Sequence, residues 1–120
     1  MQDQFRFFCD TPELQKFILW QISEPNAVMR SVSETREKEG LQLLALANEH
    51  FRGTGVNFNA VVNIVLGGGY YNGLHAATGN STVCGLDAGQ DRDKEILSRT
   101  MAQILEWAWK AAAEEKPKNA

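Results

Sequence analysis

Residues 57–78, NFNAVVNIVLGGGYYNGLHAAT, decide the fold of this chain. Val61, Val62, Ile64 and Val65 are β-branched, so the first half can be read as a buried strand with the triple glycine 67–69 as its turn. The spacing argues otherwise. Phe58, Val61 or Val62, Val65, Gly69, Gly73 and Ala77 recur every three or four residues, the period of one helical face. It predicts a helix over 58–78 and an all-α protein; the alternative is an α+β fold with a strand near 58–66. On a helix, Gly69, Gly73 and Ala77 form a flat stripe that lets another backbone approach closely, a packing face inside the chain or between two copies in a homodimer. No phosphate-binding signature accompanies the glycines, since neither GxGxxG nor GxxxxGK[ST] is present.

Upstream, Thr11-Pro12-Glu13 is a helix start: Thr11 can accept from an orphan N–H, Pro12 suits the first helical position and Glu13 complements the dipole. Leu14, Phe17, Ile18 and Ile22 follow as an apolar stripe with Trp20 off it, giving a helix over 12–23 that Glu24-Pro25-Asn26 ends. Ser31-Val32-Ser33-Glu34 has the capping-box spacing and opens a second helix over 32–52, with Gly40 inside it at a cost of about 1 kcal/mol relative to Ala. Gly53-Thr54-Gly55 stops it.

Downstream, residues 78–82 are a loop by composition and 85–90 a turn region. Asp87 or Asp91 can cap a last helix over 91–113, whose stripe is Leu97, Met101, Ile104, Leu105 and Ala108. Trp107 and Trp109, two apart, cannot both face the core. Residues 114–120 are expected to fray. The expected architecture is therefore a compact bundle of about four helices forming one domain over 1–120.

The chain has 120 residues, 43% hydrophobic and 22% charged, which suits a single folded core. Its net charge of −3 and the absence of a basic run speak against nucleic acid as a partner. The longest mostly apolar run, 61–66, is too short to insert in a membrane. The N-terminus MQDQFRFF has neither the basic nor the long apolar region of an export signal, leaving a cytoplasmic protein or one whose signal peptide lies outside the sequence.

Little in the sequence suggests chemistry. Cys84 and His75 invite a thiol-nucleophile reading, but no family-specific context surrounds the cysteine. His50, His75, Glu49 and Cys84 lack metal-ligand spacing, so neither a metal nor another cofactor is expected. His50 reads as a favourable cation at a helix C-terminus, and the charges at 34–39 as a solvated face. Tyr70 and Tyr71 diverge by about 100° on a helix, so one can pack inward while the other presents its hydroxyl. The two cysteines permit one disulfide, Cys9–Cys84, or two inert thiols. If formed, it closes a loop of about 75 residues, a link valued at roughly 4–5 kcal/mol by chain entropy.

One resemblance covers residues 67–105 plus Cys9. A cysteine ahead of an early helix, Gly69-Tyr70-Tyr71-Asn72-Gly73-Leu74 on a central helix, a short loop to Cys84 and a final amphipathic helix together resemble the small exported immunity proteins directed against type VI secretion amidase effectors. More distantly the pattern is similar to periplasmic acid-stress chaperones. The resemblance implies a periplasmic or secreted, non-catalytic binding protein that occludes the active site of a partner enzyme. The expected contacts are Thr78, Asn80, Ser81 and Thr82 in the loop, with Tyr70 or Tyr71 as aromatic anchor. The alternatives are an acid-responsive chaperone, opened when only the twelve Lys and Arg and two His remain charged, and a cytosolic helical interaction module.

Overall fold

The computed structural model describes residues 2–23, 27–79 and 81–116. It contains five helices: α1 (Gln2–Asp10), α2 (Pro12–Ser23), α3 (Ala27–Phe51), α4 (Phe58–Thr78) and α5 (Asp91–Glu115). Among the described residues there is no strand, so the all-α expectation holds and the strand near 58–66 does not. The predicted bundle of four gains a helix because QDQFRFFCD, residues 2–10, folds as α1, with Phe5 and Phe8, three apart, both buried.

That short helix explains the glycines of α4. A Cβ at Gly73 would lie 2.5 Å from the Phe8 ring, and one at Gly69 would lie 3.2 Å from Met101 Cε and 3.3 Å from Phe5 Cδ1. The stripe is thus covered by α1 and α5 of the same chain and is not available to a second copy, while Ala77 is exposed. Phe8 also meets Tyr70 edge-on, with ring centroids 4.9 Å apart.

The α1–α2 corner is tied by side chains. The Thr11 hydroxyl donates to the Phe7 carbonyl at 2.6 Å, and Gln15 Nε2 donates to the carbonyls of Phe8 at 2.9 Å and Cys9 at 3.0 Å. Thr11 therefore satisfies the end of α1, where an N-cap for α2 was expected. Of the α2 stripe only Ile18 is fully buried.

α3 begins at Ala27, five residues before the expected start, so Ser31 and Glu34 sit inside it. There the Ser31 carbonyl accepts from the Thr35 hydroxyl at 3.0 Å, as in a helix interior, and no capping box forms. The predicted turn at 24–26 lies outside the described residues. α4 opens on Asn57, whose Oδ1 accepts from the Ala60 N–H at 3.0 Å, and closes on Gly79 in the left-handed conformation.

α5 continues to Glu115, past the expected end. Glu115 Oε1 accepts from the Gly55 N–H at 2.9 Å, which holds the helix end against the α3–α4 connection. His50 stacks on Trp109 with centroids 3.7 Å apart. Its Nε2 lies 2.9 Å from the Trp109 carbonyl and so carries the proton, leaving Nδ1 to accept from Lys116 at 3.3 Å. Glu115 and Lys116 thus each make a side-chain hydrogen bond at the start of the stretch expected to fray, and Trp107 is the more exposed of the two tryptophans.

Two small apolar clusters lie in the core, Phe5, Val65, Ala88 and Met101, and Phe51, Ala108 and Ala112, with Val61 packed against both; Phe8 and Ile18 are buried as well. The fold is flat, 52 × 38 × 19 Å, little more than two helix layers deep. It exposes 8411 Å², whereas a compact monomer of 13.4 kDa exposes about 6,500 Å². No described helix is long and apolar enough to cross a membrane.

Candidate protein-binding groove

Seating Gly73 against Phe8 fixes the rotation of α4. At about 100° per residue, Tyr71, Leu74, His75 and Thr78 then fall on its flank and outer face, away from Phe8. The side chains of α2 lie beside them. Between the two helices runs an open groove of about 700 Å³, with Leu19, Leu74 and Ala77 among its apolar lining and Tyr71, His75 and Lys16 adding polar groups.

Tyr71 is 58% exposed and tilts over His75, with ring centroids 5.8 Å apart. His75 Nε2 lies 3.3 Å from the Ser81 hydroxyl, and the Thr78 hydroxyl donates to the His75 carbonyl at 2.7 Å. The loop is therefore attached to the helix end that lines the groove. Among the described residues no carboxylate lines it and Lys16 has no ion-pair partner. The groove is apolar with a positive edge.

The expected contact residues separate into two groups. Tyr71, Thr78 and Ser81 come together at the groove, and Thr82 is exposed in the same loop. Tyr70 faces the other way: it is half-buried against Phe8, and its hydroxyl accepts from Arg36 at 3.3 Å. Asn80 lies outside the described residues. Lys16, Leu19 and Leu74 were not anticipated; the available signal was an apolar Leu19 off the α2 stripe.

The expected disulfide is absent. Cys9 and Cys84 are free thiols, Cys9 half-buried beside Gly73 and Cys84 exposed. Cys84 occupies a two-residue turn in which Val83 and Leu86 exchange backbone hydrogen bonds of 2.8 and 3.0 Å, with φ +53° at Cys84 and +81° at Gly85. Burial pushes the Cys9 thiol up from its ordinary pKa, an effect that nearby Lys94 partly opposes and Asp10 reinforces. No hydrogen bond joins Cys84 to His75 among the described residues, and no group of three or more His, Cys, Asp or Glu there could hold a metal ion.

No family model, curated protein or solved structure matches the chain at a significant level.

Proposed function

We propose that this chain is a non-catalytic binding protein that docks on another protein through the α2–α4 groove. The observation that carries the reading is an open apolar groove whose exposed aromatic, Tyr71, stands on the same helix end as Thr78 and the His75–Ser81 contact. Aromatic side chains of this kind supply large contact area at low entropic cost and dominate interface hot spots. Leu19 and Leu74 would receive an apolar side chain of the partner. Lys16, without an ion-pair partner among the described residues, favours a partner segment that also carries a carboxylate.

The partner class implied by the resemblance is an exported cell-wall amidase, with the groove and its loop covering the enzyme's cleft and the protein acting in the periplasm or outside the cell. Titrating purified candidate amidases with the protein tests this form. Inhibition that Tyr71→Ala weakens by about tenfold or more supports it. Neither binding nor inhibition across the set would refute it.

A further inference from the structure

A second apolar surface lies on the other side of α2 and α4, where α3 packs. α3 runs antiparallel to α4: Asn48 Nδ2 donates to Asn59 Oδ1 at 2.7 Å near one end, and Arg36 donates to the Tyr70 hydroxyl at the other. The groove bounded by α2, α3 and α4 is about 670 Å³ and collects four large exposed hydrophobics, Ile22, Leu41, Leu43 and Leu66. Leu43 is 72% exposed, and Leu46, one turn further along, is 77% exposed.

We propose that this face is covered by a second copy of the chain in a two-fold homodimer. Three observations favour that occupant. The chain exposes about 1,900 Å² more than a compact monomer of its mass, comparable to what each copy of an obligate homodimer covers. Between residues 30 and 50, α3 places no side chain fully in the core. A helix is stabilised mainly by packing an apolar face, so α3 needs packing that one chain does not provide.

The charges on the face are self-complementary as well. Among the described residues Arg36 is held only by neutral partners, Gln21 Oε1 and the Tyr70 hydroxyl, each at 3.3 Å. Glu37 lines the same groove, and neither residue has an ion-pair partner among the described residues. A two-fold contact repeats each pairing, so Arg36 of one copy can meet the carboxylate of the other twice across a single interface. The groove between α2 and the end of α4 is lined by other residues and stays open in such a dimer.

Sedimentation velocity at about 50 μM, far above the dissociation constant of an obligate pair, tests the proposal without any ligand. The expected mass is twice 13.4 kDa. Leu43→Glu and Ile22→Lys, both at exposed positions, should each give the monomer mass with a helical circular-dichroism spectrum, while Trp107→Glu on α5 stays dimeric. Amide exchange of the wild-type protein across residues 36–46 should slow as concentration rises. A wild-type monomer, a dimer that survives both face variants, loss of the dimer with Trp107→Glu alone, or concentration-independent exchange would each overturn it. None of these outcomes bears on whether the α2–α4 groove binds a partner.

Discussion

Gly73 is the seat of Phe8: the ring lies where a Cβ at position 73 would be, 2.5 Å from Cδ2 and Cε2. This contact docks α1 on α4 and sets which side chains of α4 face outward. Gly73→Ala should lower stability by about 1–3 kcal/mol, the usual range for overpacking. Gly40 is also helical but has open space around its Cβ position, so Gly40→Ala should raise stability by about 1 kcal/mol. Urea unfolding of the two variants measures both signs, and a stabilising Gly73→Ala would contradict the packing described.

Ser98 is fully buried on α5, and among the described residues its hydroxyl has no hydrogen-bond partner. Removing a buried, unsatisfied hydroxyl recovers its desolvation cost, about 1–3 kcal/mol. Ser98→Ala should therefore melt at a higher temperature than the wild type. A lower melting temperature would mean that the hydroxyl is satisfied.

The two thiols should differ in reactivity. Cys84 is exposed, whereas Cys9 is half-buried with its pKa raised by desolvation, so it holds less thiolate at neutral pH. A maleimide should modify Cys84 first, and the unmodified protein should show the same intact mass with and without reductant. A mass that rises on reduction would restore the disulfide.

Alkaline pH should weaken the fold at the α1–α5 contact. Lys94 donates to Asp10 at 2.7 Å, and that hydrogen bond holds its pKa above the ordinary lysine value. A raised pKa gives stability that is fully present below the unfolded-state pKa and lost as pH rises through the folded one. Cys9, also raised, loses its contribution in the same direction. The loss should begin above about pH 8.5 for the thiol and above about pH 10.4 for Lys94. Asp10 is largely exposed, so Asp10→Asn should cost no more than about 1 kcal/mol at pH 7 and should flatten the upper part of the decline. An unchanged pH profile in that variant would contradict the assignment.

The α4 helix was legible because its period of three to four outweighed four β-branched residues, whose modest helix penalty is offset by the packing of Val65, Gly69 and Gly73 in the core. α1 was missed because nine residues show only one i,i+3 pair, Phe5 and Phe8, too little to establish a period. Ser31 and Glu34 had capping-box spacing, yet spacing alone does not say where a helix begins, and α3 begins earlier. Tyr71 and Ser81 were readable as surface residues of one segment. The groove itself joins α2 to α4, a juxtaposition of residues more than fifty apart that local pattern does not encode, so Lys16, Leu19 and Leu74 stayed hidden. The cysteine count permitted a disulfide without bringing the two sulfurs together.

The central claim is that the α2–α4 groove binds a protein segment combining an apolar side chain with a carboxylate. Selection of random displayed peptides on the immobilised protein tests it most directly. Peptides that place Asp or Glu near a large apolar residue should be enriched, with binding reduced about tenfold or more by Tyr71→Ala and by Lys16→Glu. Peptides that lack an acidic residue, or that bind both variants as well as the wild type, would contradict it.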